Sequence, residues 1–411
     1  MNLREQKARQ IAQRANITRS GSLYLVPSQS GRGKYKVDPA KQTCSCADYD
    51  FRRAKCKHIF AVEIIERTQT TTTTTDAQGK TTTTKTETVK VTRQTYKQVW
   101  PAYNAAQTQE KRLFQYLLKQ LVSGVGEPAQ MNGRPRLPIE DMLFSMAFKV
   151  YSTVSGRRFQ SDLSDAHAKG YLSKLPAYNS IFRYFESEML TEHLKMLIEE
   201  SALPLASIEQ DFAVDSSGIS ASRFMQWMHA KYSDPHLLEK KDWIKVHLMC
   251  GVKTNVVTSV EISDKYAGDS RYFQPLVEST AERFVMQEVS ADKAYLSNKN
   301  LALVVSKAAM PYIPFKANTS RNDRRNTALF HRMYHFYSYN TERFMQHYHK
   351  RSNVETTFHM IKSKFGDALR SRTKTAQINE ALCKVLCHNI CCLIQSMFEL
   401  NLKPKFWAEV A

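Results

Sequence analysis

The chain has 411 residues, 42% of them hydrophobic, which is enough for a packed core and too many residues for a single ordinary domain. Lys+Arg number 59 against 39 for Asp+Glu, a net charge of +20. An excess of that size points to a polyanionic partner, most simply nucleic acid; a basic but otherwise ordinary protein is the plain alternative.

The first residues, "MNLREQKARQIAQRAN", are polar and do not read as a secretory signal. No run approaches the length of a membrane span, so no membrane partner is expected. Cysteines cluster at Cys44/Cys46/Cys56 and at Cys383/Cys387/Cys391/Cys392, with Cys250 apart. In a chain expected in the cytoplasm, that pattern predicts metal or core use rather than a disulfide framework.

In chain order, "SLYLVPS" and "KYKVDP" flank the turn-like "QSGRG" and predict a hairpin. The first cysteines follow, then "HIFAVEIIERT", a short helix. "TQTTTTTTDAQGKTTTTKTETVKVT" has almost no large apolar residue and predicts a linker, with a threonine-rich strand as the other reading. Residues 100–202 carry helical spacing, as in Leu113, Phe114, Leu117, Leu118 and Leu121. The stretch after Pro138 has an acidic first turn and is expected to stop at Gly156. These helices predict a bundle, either DNA-binding in helix-turn-helix style or only packing.

After Pro204 the pattern changes to three strands, then helix, strand, helix, strand and helices, a mixed α/β arrangement. A helix is predicted from about Asn340 to Phe365 and a last one from about Gln377 to Leu400. The expected organisation is a small finger over 1–67, a linker over 68–95, a helical region with a DNA-binding role over 96–204 and an α/β domain over 205–411.

"CSCADYDFRRAKCKH" offers Cys44, Cys46, Cys56 and His58. Three thiolates and an imidazole satisfy a tetrahedral structural Zn2+ and leave no open position for catalysis. So small a unit draws much of its folding energy from the metal. Arg52, Arg53, Lys55 and Lys57 suit phosphates or form a solvated loop. The spacing C-x-C-x9-C-x-H resembles the SWIM-type zinc finger, which in that family serves DNA or protein contact.

Asp215 ends the apolar "FAVD" and Asp292 ends "MQEVSAD"; strand ends of α/β sheets are where ligands sit. Glu355 lies on the late predicted helix. Three converging carboxylates can hold two Mg2+ (or Mn2+) ions, which suit in-line phosphodiester displacement. At helical spacing Tyr348, Arg351, Glu355 and Lys362 form one stripe, beside the apolar stripe Val354, Phe358, Ile361 and Phe365. A solvated helix face with an Arg351–Glu355 pair also fits.

Tyr-x2-Arg-x3-Glu-x6-Lys, filled here by Tyr348, Arg351, Glu355 and Lys362, resembles the Y-R-E-K signature of DDE transposases from bacterial insertion sequences. "AVDSSGI" and "VSADKAYLS" resemble that family's two aspartate blocks, and the likeness covers roughly residues 205–400. It implies a ribonuclease-H-like fold in which Asp215, Asp292 and Glu355 bind the metal ions and catalyse. It implies DNA contacts for Tyr348, Arg351 and Lys362. The implied reaction is cutting and joining of transposon ends by a homodimer or larger multimer. The implied partners are double-stranded DNA, the terminal inverted repeats and the target, in the bacterial nucleoid. A catalytically silent DNA-binding protein and a ribonuclease-H-like nuclease without strand joining are the rival readings.

Lys316 to Lys374 is rich in cations, among them Lys316, Arg324 and Arg325, with Tyr334, Phe336, Tyr337 and Tyr339 interleaved. Beside a phosphodiesterase site this predicts DNA contact; the plain reading is a solvated basic loop. Asp211 reads as a surface residue, and Asp264 and Asp269 as turn residues, with a DNA-proximal role as the other reading. Lys245 and His247 share one strand face, either turned towards the catalytic end or structural. Cys383, Cys387 and Cys391 with His388 read as core residues or a second metal site.

Overall fold

The computed structural model describes residues 8, 11, 17–20, 23–28, 34–52, 54–66, 69–75, 81–87, 99–127, 129–130, 135–221, 242–316, 319 and 326–407. They fall into two compact units, Met1–Lys97 and Gln98–Ala411, each with its own apolar core.

In the first unit β1 (Thr18–Ser20), β2 (Leu23–Pro27), β3 (Lys34–Asp38) and β4 (Thr43–Cys44) form an antiparallel sheet in that order. Tyr24 and Val26 alternate inward along β2, the period of a strand with one buried face. Two helices follow, α1 (Ala47–Arg52) and α2 (Lys57–Glu66), and Ile59, Ala61 and Val62 of α2 complete the core. The threonine-rich stretch forms β5 (Gln69–Thr75) and β6 (Thr81–Glu87), paired from Gln69↔Glu87 to Thr75↔Thr81. β-Branched residues favour extended backbone, although a lone ribbon gains little stability from its pairing.

The second unit begins with five helices: α3 (Trp100–Val122), α4 (Ile139–Ser152), α5 (Gly156–Ala168), α6 (Tyr178–Phe185) and α7 (Met189–Ala202). Helix α4 stops earlier than its sequence predicts. Thr153 takes a left-handed conformation (φ 56°) that closes it, and Gly156 opens α5 instead.

The sheet follows. Strands β7 (Asp211–Ser220), β8 (Trp243–Gly251) and β9 (Val257–Asp264) form an antiparallel meander. Helix α8 (Ser270–Arg283) leads to β10 (Glu288–Ala291), and α9 (Asn298–Ser306) leads to β11 (Met310–Tyr312). β10 pairs parallel with β7, and β11 pairs parallel with β10, giving the order β11-β10-β7-β8-β9. This mixed sheet with flanking helices is the ribonuclease-H-like fold.

The last helices are α10 (Ala328–Tyr339), α11 (Thr341–Tyr348), α12 (Ser352–Phe365) and α13 (Lys374–Glu399). The single helix expected from Asn340 to Phe365 is broken by a 3-10 turn at His349–Arg351. The Asn353 side chain donates to the Lys350 carbonyl at 2.9 Å. That carbonyl is the one an uninterrupted helix would offer to the Val354 amide. The apolar stripe of Val354, Phe358, Ile361 and Phe365 is buried as its spacing predicts.

Helix α13 is the axis of the unit. It is long and apolar enough to cross a membrane, contrary to the reading from sequence, but 78% of that window is buried inside the protein. Asn389 fixes it: its Nδ2 donates to Val257 O (2.7 Å) and Ser201 Oγ (3.0 Å), and its Oδ1 accepts from Val257 N (2.8 Å). Asn379 Nδ2 donates to Phe185 O (2.8 Å) and Ser187 O (3.0 Å). Fully satisfied buried amides set the register of packed elements. Helices α3–α7 and the sheet thus share one core through α13.

Candidate active site and metal centre

In the first unit, Cys44 ends β4, Cys46 and Cys56 flank α1, and His58 lies in the first turn of α2. All four are buried, and one ligand atom from each lies within 4.8 Å of the others. His58 Nδ1 stands 3.9 Å from Cys44 Sγ and 3.8 Å from Cys56 Sγ. A tetrahedral zinc with Zn–S about 2.3 Å and Zn–N about 2.0 Å separates such atoms by about 3.6 Å. The hydrogen bond from Cys44 holds the Cys56 thiol down, to about 3, and the same contact pushes Cys44 up. A dication is what lets three crowded sulfurs be thiolates together, so the set fits zinc.

In the second unit the site is built on β7 and β10. Alternation turns Asp215 and Ser217 to the side of α12, and Ser216 to the opposite side. The parallel register runs Glu288↔Asp211 to Ala291↔Val214, so Asp292 leaves β10 beside Asp215. Asp292 then caps a short 3-10 turn, accepting from Lys293 N at 2.7 Å.

Arg351 joins the acids. Its Nη2 donates to Asp215 Oδ2 and its Nη1 to Glu355 Oε1, each at 2.7 Å. Its neighbour Lys350 reaches Asp211 Oδ2 and Glu288 Oε2, also at 2.7 Å. The 3-10 turn is therefore clamped across β7 and β10 by consecutive cations, which fixes the N-terminal end of the Glu355 helix. Asp211, expected at the surface, is one of the clamp's acceptors.

Electrostatics supports a common site. Burial raises the Asp215 pKa; Arg351 and the Ser216 amide oppose this, while Asp292 and Glu355 add to it. Burial likewise raises the Tyr348 hydroxyl pKa, with Asp292, Asp215 and Glu355 contributing. Negative groups crowd one place, and two of them, Asp215 and Glu355, share the Arg351 cation. The donors are hard carboxylate oxygens, the class that suits Mg2+ or Mn2+. Asp215 and Glu355 meet Arg351 rather than each other, and among the described residues Cys3His is the group closed to within 4.8 Å.

Lys362 Nζ donates to Ser217 Oγ at 2.7 Å, on the Asp215 side of β7. Lys316 is exposed just after β11. Arg324 and Arg325 lie outside the described residues. Cys383 and Cys387 are buried in α13, and Cys387 Sγ donates to Ala147 O at 3.2 Å. His388 Nε2 donates to Asn255 O at 2.8 Å, so these residues serve the core.

Sequence reasoning missed a network behind Asp215. Asp269 Oδ1 accepts from Ser216 Oγ (2.8 Å) and Lys245 Nζ (2.9 Å). His247, fully buried, stacks on Tyr272 with ring centroids 4.2 Å apart. The available signal was the Lys245/His247 alternation, but nothing in the sequence tied it to Asp269 in a loop.

Residues 207–390 match the family model described as the transposase DDE domain, and residues 32–65 match the SWIM zinc finger. The chain carries a DDE transposase domain. A search of curated proteins finds no match for the chain. The transposase match spans β7 to α13 and so includes Asp215, Asp292 and Glu355, while the SWIM match includes Cys44, Cys46, Cys56 and His58.

Proposed function

We propose that this protein is a transposase of a bacterial insertion sequence, acting in the nucleoid, where it binds the element's terminal repeats and performs metal-dependent cleavage and strand transfer. The observation that carries the reading is Arg351 bridging Asp215 and Glu355 while β10 delivers Asp292 alongside. Asp215, Asp292 and Glu355 are the residues that would hold two Mg2+ (or Mn2+) ions. When bound, those ions would activate an attacking oxygen and stabilise the leaving oxygen of an in-line displacement.

The protein's own groups do the rest. Arg351 keeps Asp215 and Glu355 in mutual reach, and as a planar fork it can also take a phosphate. Lys362 and Tyr348 flank the acids and contact the DNA backbone or terminal bases at the cut, and the cations Lys316, Arg324 and Arg325 supply further phosphate contacts. The finger holds one structural Zn2+ and contributes to DNA or protein contact. The protein acts as a homodimer or larger multimer that pairs two ends.

The test is labelled DNA bearing the element's own ends, incubated with purified protein and Mg2+. The reading expects nicked ends and joined products. Absence of cleavage supports the catalytically silent rival. Cleavage without joining supports a nuclease, and cleavage that survives Asp292→Asn removes the site assignment.

A further inference from the structure

A cavity of about 460 Å3 opens between the end of α4, the start of α5, the end of α6 and the segment joining α12 to α13. Its size falls among small-molecule sites. The chemistry described above does not use it.

Its wall is divided. One side is aromatic, with Phe182, Phe185 and Phe365; Phe182 is 44% exposed. The other carries Lys149, Arg370, Arg372 and Lys384, against the acids Glu186 and Glu380. Glu380 is already engaged, accepting the backbone N–H groups of Arg370 (2.9 Å) and Ser371 (2.8 Å). Lys384 is engaged by the carbonyls of Gly366 (2.8 Å) and Ala368 (2.7 Å).

Lys149 and Arg370 are placed differently. Lys149 Nζ, with the residue only 8% exposed, donates to Val154 O at 2.6 Å. Arg370 Nη1 donates to the same carbonyl at 3.0 Å. Two cations thus converge on one neutral oxygen. Burial, and next the Arg370 charge, bring the Lys149 pKa down to about 8 against the opposing charge of Glu380. A buried lysine beside a like charge gains from a further anion, since Glu380 only partly offsets the two effects. Ser155 and Gly156, at the start of α5, line the same space, and the Ser155 side chain makes no capping bond. The amides of a helix's first turn favour anions.

We propose that this cavity binds a nucleoside phosphate, its phosphate among Lys149, Arg370 and the start of α5 and its base against Phe182. Aromatic rings stack on any base, and cations give the phosphate its contacts. The nucleotide has two sources, a DNA strand or a free nucleotide. β7 rises about 17 Å from Asp215 to Ser220 at ~3.3 Å per residue. Ser220 then bonds to Asp367 O (3.1 Å) and Leu369 N (2.8 Å), next to Arg370. Along a duplex axis that interval spans about five phosphates of one strand. The DNA source rests on the functional reading given above; nucleotide binding itself does not.

The test is calorimetric titration of the full chain with dAMP, deoxyadenosine and inorganic phosphate. The proposal expects dAMP to bind more tightly than either fragment. Lys149→Met, Arg370→Ala and Phe182→Ala should each weaken dAMP at least fivefold, and Phe182→Ala should leave inorganic phosphate unchanged. Arg370 and Phe182 are exposed, so their variants keep the test decisive if Lys149→Met fails to fold. Absence of dAMP binding, or dAMP binding unchanged in Arg370→Ala and Phe182→Ala, overturns the proposal. Displacement of dAMP by element-end DNA assigns the site to a DNA strand; dAMP that DNA does not displace assigns it to a free nucleotide. Because dAMP binding is read without cleavage, failure here is distinct from failure of the transposase reading.

Discussion

Arg351 stands 2.7 Å from Asp215 and, with its other nitrogen, 2.7 Å from Glu355. If divalent ions take the same carboxylates, they and Arg351 compete for the same negative charge. Arg351→Ala should destabilise the metal-free protein by about 1–3 kcal/mol, the scale for leaving charged hydrogen-bond partners unpaired. Mn2+ should then raise the melting temperature of the variant more than that of wild type. An equal Mn2+ shift in both would show that the ions bind elsewhere.

The finger should hold one zinc per chain. His58→Ala and Cys56→Ser should each lose it, read as metal content of the purified protein. Much of so small a core's folding energy comes from the metal, so a chelator should also abolish the protection of the α2 amides from hydrogen exchange. Retained protection without zinc would contradict the metal's structural role.

Lys364 pairs with Glu110, which also accepts from Tyr151 Oη at 2.8 Å, tying α12 to α3 and α4. Glu110→Gln should cost about 2 kcal/mol, less than breaking a fully buried pair because Lys364 is partly exposed. Urea unfolding followed by fluorescence and by circular dichroism should shift together, since helices and sheet share one core. Separate transitions would show the helical region folding independently.

His388 is buried in α13, and burial brings its pKa down to about 4. The unfolded chain takes up its proton near pH 6.5, well before the folded one does. The associated stability is present above about pH 6.5 and is lost as pH falls towards 4, on the order of 3 kcal/mol. His388→Gln should flatten that part of the stability–pH curve. An unchanged slope would assign the acid sensitivity to other groups.

The Cys3His group and the buried seam of the late helix were legible because their residue types and spacing stand out. The C-x-C and C-x-H pairs frame the Cys3His group, and the Tyr348–Lys362 spacing gives the helix and its buried seam. The mixed α/β class follows from the succession of elements, because parallel strands need helical crossovers; the strand order itself came from the structure. What stayed hidden depends on contacts between distant segments. Lys350 looks like one more solvated cation until β7 and β10 bring Asp211 and Glu288 under it. At the 3-10 turn Asn353 takes a carbonyl that the helix would otherwise use, a competition that apolar periodicity does not register. Asp269 reads as a turn residue because its partners Ser216 and Lys245 sit on different strands. Polar threonines hid the β5–β6 pairing, since composition signals a missing core and not backbone conformation.

The central claim is that Asp215, Asp292 and Glu355 share the same metal ions, and Fe2+-directed radical cleavage of the protein tests it most directly. Fe2+ with ascorbate should cut the chain at three places, near residues 215, 292 and 355, with excess Mg2+ suppressing all of them together. Cutting near only one of these residues, or a pattern that Mg2+ does not suppress, would contradict the claim.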